Sequence, residues 1–373
     1  MKILYYIPEQ TINDPVIKSQ VIDQATFLSK NNYEIFIYAQ NTKEHIVEGL
    51  IKMFFHNKNH KNPTIKSIIT IFQGIKTIKK INPDYVYFRS SITFFFLYLS
   101  SFLFKSNLVF DARGVSWEER YMKTKKKNVY YFFLKFTHIF AYKLSHRQLC
   151  VTNNFAQLIK KYRKKDDLYV IPSCLSLSEN ENHLTKLSND NISRASLGFL
   201  ETDIIICYSG STTKWQRIDK ICELVNSLNH SNIKLLCMTK EIESMQIIVS
   251  EILQSNQFVI KSANNKEELS KYLNLVDFGI IIRDNSLVNM VASPIKIAEY
   301  FHAGLPIICN KYIGDIEKIL KENPSLGILI DDTNHLLNTI LTFKKYNKKM
   351  IQSYSIDNYT WNAYLKIFQD CYR

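Results

Sequence analysis

Hydrophobic positions in the first half of the chain fall in short unbroken runs, separated by longer stretches of helical period. KILYYI (2–7), YEIFIYA (33–39), DYVYFR (84–89), NLVFDARG (107–114), RQLCVT (147–152) and DLYVIP (167–172) read as strands buried on both faces. Between them, SQVIDQATFLSKNN (19–32), PTIKSIITIFQGIKTIKKINP (63–83) and NVYYFFLKFTHIFAYKLSH (128–146) carry helical spacing, the second ending at Asn82-Pro83. The run ITFFFLYLSSFLF (92–104) is shorter than the roughly 20 residues that span a bilayer. It reads as a buried helix, with a helix lying on a membrane surface as the alternative.

SCLSLSENENHLTKLSNDN (173–191) breaks the pattern with Ser and Asn and marks a domain boundary. The rhythm then restarts. DIIICYSGS (203–211), IKLLCMT (233–239), FVIKSA (258–263), DFGIIIR (277–283), LPIICN (305–310) and LGILI (326–330) are strands. RIDKICELVNSL (217–228), NKEELSKYLNLV (265–276) and GDIEKILKEN (314–323) are helices, and DNYTWNAYLKIFQDCYR (357–373) is a long terminal helix. Alternating strands and helices predict parallel sheets covered on both faces. The expected architecture is α/β, with two Rossmann-like domains facing across a cleft. The expected division is a domain over 1–175, a linker over 176–193, a second domain over 194–350 and a C-terminal helix over 351–373, a candidate to cross back to the first domain.

The stretch ASPIKIAEYFHAGLPIICN (292–310) is the most informative. Ser293 suits an N-cap, Pro294 the first helical position and Gly304 the stop. Lys296 then falls in the first turn, where the positive end of the helix dipole makes a cation unfavourable by a few tenths of a kcal/mol. An anion at that end reverses the sign, because free amides plus a lysine form a phosphate site beside Arg283 at the end of strand 277–283. The competing reading is a solvated lysine paired with Glu299.

SPIKIAEYFHAGLPII closely resembles the nucleotide-sugar-binding motif of retaining GT-B glycosyltransferases of the family 4 group, which commonly show Ser-Pro-x-Lys-x-x-Glu-Tyr followed by Gly-x-Pro. CYSGSTTKWQRID (207–219) is similar to their phosphate loop, and YVIPSC (169–174) to their exit into the linker. The likeness is strong over about 205–330 and weaker over the N-terminal half. It implies that Glu299 holds ribose hydroxyls, and that the backbone of Ser293, Pro294 and Ile295 faces the donor phosphates. Gly210 and Ser211 would admit the ligand, and Lys214 or Arg217, with Lys296 and Arg283, would neutralise the leaving diphosphate. Many relatives carry a first glutamate eight positions before the second; here that position is Val291, and Asn289 or Ser286 is the candidate substitute.

In the N-terminal half, FDARGVSWEER (110–120) places Asp111, Arg113 and Gly114 at the carboxyl end of a strand. They are candidates for acceptor binding, or for an internal salt bridge supporting a turn. Gln20, in the loop and helix start after the first strand, is a further acceptor-side candidate. His138 and His146 read as structural.

Composition adds less. Lys plus Arg number 48 against 34 acidic residues, a net charge of +14. That points to an anionic partner, such as a phosphorylated substrate or an anionic membrane face. Nucleic acid is not expected, since no helix-turn-helix, RRM or OB signature is present. Lys123 to Lys127 beside VYYFFLKFTHIFAY (129–142) suits a membrane surface. Seven scattered cysteines without a C-x-x-C pair predict buried free thiols, and neither an Asp-x-Asp nor a His/Cys cluster is present. The N-terminus MKILYYIPEQ reads as a first strand, not a signal peptide.

The expected function is therefore retaining transfer of a hexosyl or N-acetylhexosaminyl group from a nucleotide sugar, UDP favoured, to a glycan or polyprenyl-linked acceptor. Capsule, O-antigen or other surface polysaccharide would be the product. No metal or other cofactor is expected, and the protein would be cytoplasmic or peripheral on the inner membrane face. A sugar-nucleotide epimerase on the same scaffold and a non-catalytic glycosyltransferase-like partner are the alternatives.

Overall fold

The computed structural model describes residues 1–11, 17–40, 46–47, 51–56, 63–176, 192–330, 335–343 and 346–373. Most of the expected linker, 177–191, lies outside the described residues. The chain forms two compact units, Met1–Ser176 with Thr360–Arg373, and Leu177–Tyr359.

The first unit holds one eight-stranded sheet: β1 (Lys2–Thr11), β2 (Glu34–Gln40), β3 (Ile46–Val47), β4 (Ile51–His56), β5 (Tyr85–Phe88), β6 (Asn107–Ala112), β7 (Arg147–Cys150) and β8 (Leu168–Val170). The order is β3-β4-β2-β1-β5-β6-β7-β8, parallel throughout except for the short β3–β4 pair. β3 and β4 were not visible in the sequence pattern. The unbroken apolar runs are explained by burial: Ile3, Leu4 and Tyr5 of β1 and Tyr87 and Phe88 of β5 are wholly enclosed.

The second unit repeats the plan with β9 (Ile204–Ser209), β10 (Ile233–Met238), β11 (Phe258–Lys261), β12 (Phe278–Ile281), β13 (Ile307–Cys309) and β14 (Gly327–Leu329). All pairs are parallel, in the order β11-β10-β9-β12-β13-β14. The direction of winding reverses between β9 and β12. In open sheets of this kind the crevice beyond the carboxyl ends at the reversal is where ligands bind.

The expected long terminal helix is broken. Lys348–Tyr359 is one helix of the second unit, and Leu365–Cys371 is a separate helix of the first. The return falls at Thr360, which bridges Leu175, rather than at 351. Trp361, Phe368 and Tyr372 enter the first unit's core against Tyr85 and Tyr87, so tertiary burial divides a segment whose local sequence is continuous. All seven cysteines are free and buried, as the sequence predicts.

Candidate active site

The helix of the signature stretch runs Ile295–His302, with Pro294 as its N-cap rather than Ser293. Its end is a Schellman motif. The amide of Leu305 donates to the Tyr300 carbonyl, and that of Gly304 to Phe301, with Gly304 at φ +73°. Ile297, Ala298, Tyr300 and Phe301 form its buried face. Tyr300 fixes the helix to the sheet. Its hydroxyl donates to the Cys207 carbonyl (3.1 Å) and accepts from the Ser209 amide (2.9 Å) at the end of β9. Its ring lies where a Cβ on Gly279 would be, 2.3 Å away, which is why β12 carries glycine there.

This seating brings Lys296 over the reversal point. The residue is only 7% exposed. Its ammonium lies 4.4 Å above the Tyr208 ring and donates to Gln216 Oε1 at 2.9 Å. Gly210, at φ +147°, passes so close that a Cβ would sit 2.9 Å from Lys296 Nζ. The backbone conformation favours glycine there, and any side chain would displace the Lys296 ammonium. Arg283, 6% exposed, follows β12 and donates from Nη1 to the Trp215 carbonyl at 2.9 Å. Burial and the neighbouring Arg283 push the Lys296 ammonium well below its ordinary pKa, and burial lowers Arg283 too. Among the described residues neither cation forms an ion pair with a carboxylate. Lys296 and Arg283 are thus two buried like charges, an unfavourable arrangement that the Glu299 carboxyl, one turn from Lys296, offsets only in part.

Glu299 lies one turn further along the same helix and is half-buried. Burial raises its carboxyl pKa, while Lys296 and Lys266 oppose the rise. Its side chain has no hydrogen-bond partner among the described residues, which leaves both oxygens available to hydroxyl donors.

The other expected residues divide. Lys214 is exposed in the turn Lys214–Gln216 of the same loop. Arg217 is set apart from the other cations. It holds a left-handed backbone (φ +52°) and pairs with Asp219 at 2.6 Å and with Asp284, which also takes Lys220. Ser211 bonds Thr213 through its hydroxyl, and its carbonyl accepts from Tyr208. Asn289 is buried and donates its amide to the Asp284 carbonyl at 2.9 Å, bracing the loop, while Ser286 caps the short helix Leu287–Met290. Val291 is enclosed.

In the first unit Asp111 and Arg113 meet as a buried ion pair at 2.6 Å. Arg89 lies 3.6 Å from the same oxygen and the Tyr87 hydroxyl donates to it. Asp111 Oδ1 and Arg113 Nη1 are buried with no partner. Gly114 makes room for Glu119, whose Oε1 would lie 2.4 Å from an added Cβ. Gln20 sits in a π-helical turn, Lys18–Ile22, and donates to the Cys174 carbonyl at 2.9 Å, with its Oε1 buried and unpartnered. His138 bonds Ser116 at 2.7 Å and burial pushes its pKa down to about 3, while His146 accepts from the Leu108 amide. Both serve as structural groups.

Sequence reasoning did not single out Tyr208, Gln216, Tyr300 or Gly279. Tyr300 stood in the quoted motif, but only its contact with β9 shows its part. Among the described residues no group of three or more His, Cys, Asp or Glu is placed to hold a metal.

No protein-family model matches the chain, and no curated protein matches it in sequence. Solved structures do match in shape. Sucrose-phosphate synthase from Thermosynechococcus elongatus superposes with a TM-score of 0.75 at 11% identity, covering 100% of this chain and 98% of that one. HepE from Anabaena, solved with UDP-glucose, gives 0.70 at 11% over 99% and 98%. WaaG, a glycosyltransferase involved in lipopolysaccharide biosynthesis, gives 0.64 at 13% over 98% and 95%. At such identities the likeness concerns the fold, and the fold of this chain is that of the GT-B glycosyltransferases.

Proposed function

We propose that this protein is a retaining, metal-independent glycosyltransferase of the family 4 group. It moves a hexosyl or N-acetylhexosaminyl group from a nucleotide-diphosphate sugar, UDP favoured, to a glycan or polyprenyl-linked acceptor of a bacterial surface polysaccharide. The observation that carries the reading is the pair of buried cations, Lys296 and Arg283, neither in an ion pair with a carboxylate among the described residues, where the winding of the second sheet reverses. The resemblance of SPIKIAEYFHAGLPII to the family 4 motif supports the donor assignment. HepE, solved with UDP-glucose, and WaaG, of lipopolysaccharide biosynthesis, support a UDP-sugar donor and a surface-glycan product.

In this mechanism the bond from the sugar C1 to the diphosphate oxygen breaks, and the electron pair stays with the diphosphate. Lys296, Arg283 and the exposed Lys214 stabilise that developing charge, helped by the first-turn amides of Ile295 and Lys296. The acceptor hydroxyl attacks C1 from the face the diphosphate leaves, and its proton passes to the departing phosphate oxygen. Glu299 holds the ribose. Arg217, neutralised by Asp219 and Asp284, shapes the loop. Asp111, Arg113, Gly114 and Gln20 belong to the acceptor side, where Asp111 and Arg113 act as a joint brace.

A thermal-shift screen with UDP-, GDP- and other nucleotide sugars tests the reading. The protein should be stabilised by one class of donor, and the Lys296→Met variant should respond more weakly. If no nucleotide sugar stabilises the protein, the donor site is refuted. Product analysis with labelled donor separates transfer, which places label in a larger glycan, from epimerisation.

A further inference from the structure

Two helices of the first unit carry more apolar surface than their unit covers. Ser91–Phe104 and Val129–Leu144 pack against each other, with Ser91 Oγ 3.1 Å from Thr137 Oγ1. Phe94 and Leu97 of the first and Leu134 and Ala141 of the second are buried, so the inward faces are satisfied. The outward faces are apolar as well. Phe102 is 70% exposed, Leu103 73%, Phe132 58% and Phe136 60%. A helix apolar on all sides is ordinarily enclosed. Here one face of each lies open.

The exposed residues form one surface. Phe102 meets Tyr98 (5.1 Å), Tyr98 meets Phe140 (5.6 Å), and Phe140 meets both Phe136 (5.9 Å) and Phe95 (6.0 Å). Phe140 thus joins the two helices into a continuous aromatic strip. Contiguous apolar surface of this kind marks an interaction site.

The fringe is basic. Lys123, Lys125, Lys126 and Lys127 lead directly into the second helix and are exposed. Lys105 follows the first helix, also exposed. Neither helix contains an acidic residue. Cation–π contacts hold basic groups beside the rings: Arg120 lies 4.4 Å over Tyr130, and Lys127 5.1 Å from Tyr121. A second copy of this chain would set lysines against lysines. An anionic bilayer would neutralise them while taking the aromatic side chains to the acyl boundary. The first helix, 14 residues long, rises about 21 Å, short of the ~30 Å hydrocarbon core, so it lies in the interface rather than crossing it. Among the described residues no helix is long and apolar enough to cross a membrane.

We propose that the outward faces of helices Ser91–Phe104 and Val129–Leu144 form a docking surface for an anionic lipid bilayer, in which Phe102, Leu103, Phe132 and Phe136 insert and the lysine run 123–127 contacts headgroup phosphates. This surface lies wholly within the first unit and is independent of the donor-site reading.

Flotation of the full chain with lipid vesicles tests it. The protein should float with vesicles containing phosphatidylglycerol, and less with phosphatidylcholine alone. The combined variant Phe102→Ser, Leu103→Ser, Phe132→Ser, Phe136→Ser should lose binding by about tenfold or more at both low and high salt. Lys125→Glu, Lys126→Glu, Lys127→Glu should weaken binding to anionic vesicles at low salt, with a smaller effect at high salt. All substituted residues are exposed, and circular dichroism with a thermal melt of the unliganded protein confirms that each variant is folded. The proposal is overturned if the native chain floats with neither vesicle, or if the aromatic variant floats undiminished. It is also overturned if the native chain self-associates through this face without binding lipid.

Discussion

Each unit gathers cations near the carboxyl ends of its strands, and the two treat them differently. In the first, Arg113 and Arg89 surround Asp111, a carboxylate 1% exposed, and the protein supplies its own counter-charge. In the second, Lys296 and Arg283 are buried just as deeply with an amide oxygen, a carbonyl and an aromatic ring as partners. The contrast recurs within the second unit, where Arg217 is held between Asp219 and Asp284. A buried cation with an internal acid is a brace. A buried pair with no ion pair of its own is unfavourable, and an arriving anion would relieve it, as the proposed donor site requires.

The comparison can be broken by removing charges on each side. The largest effect is expected from Asp111→Ala, which strands two arginines and should destabilise the protein by about 3–5 kcal/mol in urea denaturation. A loss below about 1 kcal/mol would show that Asp111 is no brace. Lys296→Met should behave in the opposite way. The unliganded protein should be as stable as the parent or more so, while transfer falls by about 10²–10³-fold in steady-state turnover. A variant that unfolds, or one that turns over normally, would remove the distinction between the units.

Glu299 gives a pH test. Its carboxyl pKa is raised by burial and held down by Lys296, so the ionised form that accepts two ribose hydroxyls disappears as pH falls through a value above the ordinary 4.5. Nucleotide affinity, measured by calorimetry, should fall with acidification in that range. In Lys296→Met the midpoint should move to higher pH, because the opposing charge is gone. A midpoint that stays in place would separate the two residues. The smallest effect is expected for Arg217→Gln. Since its charge is already balanced, turnover should drop only a few-fold, far less than for Lys296→Met. An equal loss would return Arg217 to the leaving-group machinery.

Much of this was legible along the chain. The strands of the second unit, the stop at Gly304 and the lysine at the helix start follow from local rules, because period, capping and glycine conformation act over a few residues. Less visible were β3 and β4, which occupy an edge with little local pattern, and the break at Thr360. That break exists because Trp361, Phe368 and Tyr372 find their burial in a core formed by residues hundreds of positions earlier. The aromatic run 92–104, read as buried, proved buried on one face only, since periodicity cannot count how many faces the neighbouring elements will cover.

The sequence by itself determined two α/β units, a motif that resembles a nucleotide-sugar site, and the list of cations. The tertiary structure decided which of those cations are answered by an acid. Arg217 and Arg283 look equivalent in sequence, each ending a strand-and-loop segment. Only folding brings Asp284 to the first and leaves the second with the Trp215 carbonyl. Ion pairing depends on distances of a few ångströms between residues remote in the chain, and linear order does not carry that information.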